Sequence, residues 1–184
     1  MILYAKKHFV GKQNLRGIEI GVDKADNALS ILEELPVDKL FLVDPYVPYE
    51  FDGQIWNGHV ANAEVAHTKL ARYPQAVWLK KTSESASRKF RNQELFDFVY
   101  IDGNHSYEFI KKDIMLYYPL IKQGGLIGGH DYIPFYEADQ PVIQAVNEFE
   151  EETGLALHSV FPDWWFIKNP SNNSLNGGYT LERA

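Results

Sequence analysis

Short apolar runs alternate with amphipathic stretches along most of this chain. Gly17-Ile18-Glu19-Ile20-Gly21-Val22, Leu40-Phe41-Leu42-Val43, Ala76-Val77-Trp78-Leu79, residues 96–101 and Leu126-Ile127-Gly128-Gly129 are the runs. Each is bounded by Gly, Pro or polar residues, the pattern of strands covered on both faces of a parallel sheet. Between them apolar residues recur at helical spacing. Ala28, Leu29, Ile31, Leu32 and Leu35 make one face, with Asp26 or Asn27 as the expected N-cap and Pro36 as the exit. Residues 60–72 and 85–91 read as two further helices. Phe109, Ile110, Ile114, Leu116, Tyr117, Leu120 and Ile121 make another apolar face, which places Lys111, Lys112 and Asp113 on the wet side. Pro119 is expected to kink or end that helix, and Gly124-Gly125 to cap and turn it. Pro141 suits the first turn of a last helix, whose apolar face is Val142, Ala145, Val146 and Phe149 and which Gly154 ends. Residues 155–160 and 164–167 read as a closing hairpin.

Strands alternating with helices imply a doubly wound α/β sandwich. The expected organisation is a lead-in at 1–16, one domain at 17–169 and a loose tail at 170–184 rich in Asn, Ser and Gly. A chain of 184 residues, 45% hydrophobic, is long enough for one substantial core. The formal charge of -7 and a pI near 5.3 argue against a nucleic-acid partner, which needs a positive field. With no cysteine, disulfides, thiolate catalysis and zinc–cysteine sites are excluded. No signal-like segment and no run long enough to span a bilayer is present, so a cytoplasmic protein without a membrane partner is expected.

The candidate chemistry lies at the strand ends. Residues 96–101 stop at Asp102-Gly103-Asn104-His105, and the Leu126 run stops at His130-Asp131-Tyr132. Ligands of open α/β sheets sit beyond the carboxyl ends of the strands, so Asp102, His105, His130 and Asp131 are expected to converge. Asp44 follows the second strand about twenty residues after the first Gly turn, the spacing at which a carboxylate accepts from ribose hydroxyls.

Two segments, Asp102-Gly103-Asn104-His105-Ser106-Tyr107 and Gly124-Gly125 through His130-Asp131-Tyr132, carry a resemblance. They resemble class I S-adenosylmethionine-dependent methyltransferases, closest to the small-molecule O-methyltransferase-like group. The resemblance spans roughly residues 17–168. It implies a Rossmann-like, seven-stranded, mostly parallel sheet with an antiparallel closing strand. It implies S-adenosylmethionine as cofactor, with Gly21 admitting the cofactor close to the backbone and Glu19 or Asp23 near its ammonium. Asp44 would bind the ribose, Tyr46 would pack on the cofactor, and Ser83 and Glu84 would touch the adenine edge. Where the group carries further glycines, Asp23 and Ala25 stand here. His105 is the candidate base and Asp102 its companion. Asp102, His130 and Asp131 are the candidate ligands of a divalent metal, Mg or Mn. The partner is a small-molecule acceptor, with a sugar or natural product as one option. The lid is expected from residues 47–58, residues 133–140, the tail or a second copy of the chain in a homo-oligomer. A non-catalytic binding module with an altered cofactor loop is the alternative. A nicotinamide-dependent oxidoreductase is disfavoured by the missing Gly fingerprint.

Overall fold

The computed structural model describes residues 1–51, 53–56, 59–91, 93–133 and 140–169. Its spine is a seven-stranded sheet in the order β5-β2-β1-β6-β7-β9-β8. The strands are β1 (Leu15–Ile20), β2 (Val37–Val43), β5 (Ala76–Leu79), β6 (Phe96–Ile101), β7 (Ile121–Gly129), β8 (His158–Val160) and β9 (Asp163–Ile167). The first five pair in parallel, whereas β9 runs antiparallel to both β7 and β8. A separate hairpin, β3 (Tyr49–Phe51) and β4 (Gln54–Trp56), interrupts the stretch expected to be an irregular loop.

Alternate residues of the central strands feed two cores. Ile18, Ile20, Val43, Val99, Ile101 and Ile127 face one side. There they meet α4 (Ser83–Ser87), α5 (Tyr107–Tyr117) and α6 (Pro141–Thr153), through Ala86, Ile110, Ile114, Tyr117, Val146 and Phe149. Leu40, Leu42, Phe98, Tyr100 and Leu126 face the other side. That side is covered by α1 (Ile2–His8), α2 (Asp26–Glu34) and α3 (His59–Leu70), through Ala5, Ile31, Ala66 and Leu70. Burial on both faces is why these strands read as unbroken apolar runs. The expected doubly wound fold is the observed one.

Three local expectations are corrected. The helix α2 is not capped by Asp26 or Asn27; its N-cap is Ala25, in a left-handed conformation and without a side-chain cap, because Asn27 is engaged by Glu19. Gly124 and Gly125 do not end a helix. The short turn Tyr118–Leu120, with Pro119 inside it, ends α5, and β7 already begins at Ile121. The pairing of β6 with β7 then jumps from Phe96–Ile121 to Phe98–Leu126, and the irregularity absorbs the two glycines. Finally, Asp113 is not on the wet face of α5. It lies three residues after Ile110 and four before Tyr117, on the buried stripe, and is 3% exposed. The tail from 170 and most of the 133–140 loop lie outside the described residues.

The carboxyl ends of β6 and β7 are locked by close backbone approach at Gly129. A Cβ there would stand 2.2 Å from the Ile101 carbonyl oxygen and 3.1 Å from the Trp164 ring. Neither neighbour is free to move, since one is strand backbone and the other is fully buried. Gly129→Ala is therefore expected to lower stability by about 3 kcal/mol or more, as forced overpacking does. Urea unfolding checks this, and a loss below about 0.5 kcal/mol would contradict the packing argument.

Candidate active site

The turn after β1 and the turn after β6 are pressed together. Gly21 has φ 81°, and a Cβ on it would lie 2.0 Å from the Asp102 carbonyl oxygen. The Asp102 N–H donates to the Ile20 carbonyl at 2.7 Å. Gly21 therefore serves the contact between two loops of the protein: the space in front of it is filled by Asp102 and Gly103.

Beyond Gly21, non-glycine residues hold left-handed backbone: Asp23 (φ 46°), Ala25 (φ 61°) and Tyr46 (φ 49°). Such conformations cost of order 1–3 kcal/mol each and persist where neighbours over-determine them. Asp44, 9% exposed at the end of β2, is the main constraint. Its Oδ2 accepts from the N–H groups of Val22 (3.0 Å) and Asp23 (3.1 Å), and its Oδ1 from Tyr46 N–H (2.7 Å). The Tyr46 hydroxyl donates to the Asp23 carbonyl at 3.0 Å, and the Asn62 amide of α3 donates to the Asp23 carboxylate. A carboxylate offers about four acceptor directions, so Asp44 retains one beyond these three bonds.

Glu19, 1% exposed, lies one strand position before this turn. Its Oε1 accepts from Asn27 at 2.9 Å, while its Oε2 is buried without a hydrogen-bond partner. Burial pushes its pKa up to about 8; the Asn27 bond opposes that rise, and the charges of Asp102 and Asp44 add to it. A buried acid with an orphaned oxygen, beside a strained loop, suits the ammonium and sulfonium charges of S-adenosylmethionine. The residues present fit that cofactor.

At the ends of β6 and β7, Asp102, His105 and Asp131 each place one donor atom within 4.8 Å of the others. The His105 Nδ1 is 3.0 Å from Asp131 Oδ2, and its Nε2 is 3.5 Å from Asp102 Oδ1. Burial opposes a charge on this imidazole, but its interaction with Asp102 and the charges of Asp131 and Asp102 outweigh that, so its pKa stands above the ordinary value. Asp131 is aimed by its backbone, which is left-handed (φ 62°). The residues on either side are tied down: His130 C=O accepts from the Trp164 indole at 3.2 Å, and Tyr132 N–H donates to the Pro162 carbonyl at 2.9 Å. The His130 ring lies outside the three-residue group. Its Nδ1 is turned onto Asp131 Oδ1 at 3.0 Å, a bond that raises the His130 pKa and lowers that of Asp131.

The remaining sequence candidates divide. Ser83 opens α4 behind its N-cap Thr82. Glu84 is half-exposed and pairs with Lys112 (2.6 Å) and Arg88 (2.8 Å). The structure adds Asn27 and Asn62, which no pattern in the sequence singles out for the site. Asn27 follows a helix start and reads as a cap, and Asn62 lies on a helix with no sequence link to Asp23.

A family model described as a methyltransferase domain matches residues 18–132. The chain belongs to that family. An uncharacterized protein of Acanthamoeba polyphaga mimivirus, R132, is 26% identical over 157 residues, covering 82% of this chain and 66% of that protein. Among solved structures, the mycinamycin-pathway methyltransferase MycE, in complex with Mg and SAH, superposes with a TM-score of 0.62 at 15% identity, over 98% of this chain and 52% of MycE. The O-methyltransferase NovP superposes with a TM-score of 0.66 at 14% identity, over 91% of this chain and 78% of NovP. The methyltransferase chain thus spans about half of MycE and just under two thirds of R132. Its sheet is that of the class I S-adenosylmethionine-dependent methyltransferases. No helix among the described residues is long and apolar enough to cross a membrane.

The buried acid of this methyltransferase domain leaves a signature in stability. An acid raised from 4.5 to about 8 on folding binds more protons in the folded than in the unfolded state between those values. Its contribution is fully present below pH 4.5 and is lost as pH rises toward 8, at up to about 1.4 kcal/mol per pH unit. Glu19→Gln removes this dependence. Urea unfolding at intervals from pH 4.5 to 8 should show the wild type losing stability relative to the variant, and parallel curves would refute it.

Proposed function

We propose that this chain is an S-adenosylmethionine-dependent O-methyltransferase acting on a hydroxyl of a small molecule. The observation that carries the reading is the grouping of Asp102, His105 and Asp131 at the strand ends, one turn from the Gly21–Asp44 loop system. The donor, when bound, supplies a methyl group already activated on sulfonium. The protein's own part is to align the acceptor oxygen and remove its proton. Alignment is worth up to roughly 7–11 kcal/mol, and a positioned base about 10²–10⁴-fold.

His105 is the base in this reading. Asp131 takes the Nδ1 side at 3.0 Å and fixes the ring, while the Nε2 side meets Asp102 only at 3.5 Å. An acceptor hydroxyl enters on that looser side and gives its proton to Nε2. Asp131 and Asp102 then stabilise the imidazolium, the role of the carboxylate in a nucleophile–His–Asp array. Glu19 and Asp44 hold the donor by its ammonium and ribose, Tyr46 and Ser83 line its path, and Gly21 keeps the two loops in register.

A divalent cation, Mg or Mn, fits the same cluster. Asp102 and Asp131 would hold it, and two carboxylates supply oxygen ligands that suit either ion. It would supply Lewis-acid polarisation of the acceptor oxygen. His105 serves as base only if it is not itself a ligand, so the carboxylates carry the ion. MycE contains Mg, which supports the choice of ion and no more.

The second reading, a binding module without catalysis, is favoured by Asp23 and Ala25 in the glycine positions and by Asp44 being largely engaged with backbone. Calorimetric titration with S-adenosylhomocysteine, with and without Mn, separates the two. Micromolar binding that is lost in Asp44→Ala supports the enzyme, and no binding by the wild type under either condition rejects it. With a hydroxylated acceptor found by methyl-labelled donor screening, His105→Ala should lose about 10²–10⁴-fold in kcat with unchanged affinity for S-adenosylhomocysteine. Full activity in that variant would reject His105 as base.

A further inference from the structure

The last ladder bond between β6 and β7 runs from the His130 N–H to the Ile101 carbonyl at 3.1 Å. It lies before both loops that carry the proposed catalytic pair, so the sheet alone does not set how His105 and Asp131 meet. Each loop is shaped locally. Asn104 Oδ1 accepts from the Ser106 N–H and from the Ser106 hydroxyl, both at 2.9 Å, which bends the chain around His105. The left-handed turn at Asp131 is followed by the bond from Tyr132 N–H to the Pro162 carbonyl. Helix α6 then joins the two loops. Tyr107, two residues after His105, donates from its hydroxyl to Glu148 Oε2 at 2.5 Å. Tyr132, directly after Asp131, donates from its hydroxyl to Asn147 Oδ1 at 3.0 Å. The two tyrosines are far apart in the chain, yet they end on adjacent residues of one helix. Glu148 is itself fixed: Lys111 donates to the same oxygen at 2.8 Å and Gln144 to Oε1 at 3.1 Å. Lys111, then Tyr107 and Gln144, hold its pKa down to about 2, so it stays an acceptor throughout the neutral range. Packing does not demand these bonds. α6 already seats in the core through Val142, Ala145, Val146 and Phe149, whereas Asn147 and Glu148 are half-buried at its margin.

We infer that Asn147 and Glu148 are positioning residues for the proposed base: through the hydroxyls of Tyr132 and Tyr107 they hold the Asp131 and His105 loops in register, and thereby fix which nitrogen of His105 carries the proton. The inference rests on the reading of His105 as the base of a methyltransferase and names the residues outside the site on which that role depends. A base must offer a bare nitrogen to the acceptor hydroxyl. With Nδ1 3.0 Å from Asp131 Oδ2, the neutral ring keeps its proton on Nδ1 and leaves Nε2 open. A neutral imidazole released from such a partner favours the opposite tautomer, with the proton on Nε2, and then has no bare nitrogen on the acceptor side. The His105–Asp131 contact is one bond between two loops, and both side chains are partly open to water, 39% and 24% exposed. A small relative shift of the loops breaks it, and supporting groups must hold such an array to within about 0.5 Å. Tyrosine suits that task. The rings of Tyr107 and Tyr132 pack against the core while their hydroxyls reach fixed acceptors, so each loop is held at both ends of a rigid side chain. Asn147 and Glu148 ride on one helix and move together, and the two loops are thereby held together.

The test reads the His105 tautomer and needs no acceptor. Long-range proton–nitrogen correlation spectra are recorded on the whole chain labelled at histidine, with chelator present and at a pH where the rings are neutral, and His105→Ala assigns the signal. The wild type should show mainly the Nδ1–H form. In Tyr107→Phe and in Tyr132→Phe, which remove a hydroxyl and keep the ring, the ratio of Nδ1–H to Nε2–H should fall about threefold or more, the scale of one lost hydrogen bond. Glu148→Gln and Asn147→Asp keep an acceptor at each place and should retain the wild-type ratio. The unfolding midpoint of these four variants should move by about 4 °C or less. The His8, His67 and His158 signals should stay in place, which separates loss of register from general loosening. An unchanged tautomer in both Phe variants, or an equal loss in the variants that keep an acceptor, overturns the assignment and leaves His105 as base. A wild type that already carries the Nε2–H form overturns the assignment and the role of His105 together, while titration with S-adenosylhomocysteine still decides whether the chain binds the donor.

Discussion

The contact between the Gly21 backbone and the Asp102 carbonyl governs the candidate site. β1 and β6 are neighbours in the sheet, so the loops that leave their carboxyl ends start about one strand spacing apart. Only a residue without Cβ lets them touch, and only one tolerant of positive φ lets β1 turn away immediately afterwards. That contact sets the position of Asp102. It also sets the start of the loop that Asp44 grips from β2. The proposed donor cradle and the proposed catalytic cluster are thereby parts of one rigid backbone unit, and an atom carried from one to the other travels a distance fixed by the sheet.

Electrostatics then weigh on that unit. Glu19, Asp23, Asp44, Asp102 and Asp131 crowd one sheet edge, and Glu19 is raised to about 8 partly by its acidic neighbours. Like charges at short range in a low-dielectric setting are destabilising unless something positive enters. His105 and His130 offset part of this, and the pKa of each is raised in doing so. A cationic ligand or a divalent ion offsets more. The same edge carries the left-handed backbone of Asp23, Ala25, Tyr46 and Asp131. Unfavourable charge and unfavourable backbone concentrated in one place, with well-packed strands elsewhere, is the distribution expected when local stability is given up for binding.

Much of this was legible in the sequence because it depends on local pattern. β5, β6 and α6 have the bounds that apolar runs, Pro141 and Gly154 indicate. The strand-end polar clusters lie together because parallel topology brings all carboxyl ends to one edge. What escaped depends on tertiary pairing. Asp113 reads as solvated because it follows two lysines, yet helical phase places it with Ile110 and Tyr117, and a charged residue on that stripe carries no signal of what it meets. His130 reads as a cluster member from its position beside Asp131. The left-handed turn at Asp131 instead directs that carboxylate to His105 and leaves His130 on its other oxygen. Asn62 holds Asp23 across 39 residues of chain, a partnership no spacing rule supplies.

Asp23 and Ala25 stand where the resemblance implies glycine, and this bears on how the proposed cofactor loop is built. Glycine would reach the same backbone angles at no steric cost but would lose more conformational freedom on being fixed. Here the angles are enforced by side chains: Asp44 from β2, the Tyr46 hydroxyl and the Asn62 amide all converge on the residue at position 23. The loop is therefore ordered before any ligand arrives, and ordering entropy is spent in folding and not in binding. The anchors, however, come from β2, its following loop and α3, so the shape of the loop depends on how α3 seats against the sheet through Ala66 and Leu70. A glycine-built loop answers to its own sequence. This one answers to a helix some forty residues away, and that links the proposed donor site to the α1–α3 layer of the fold.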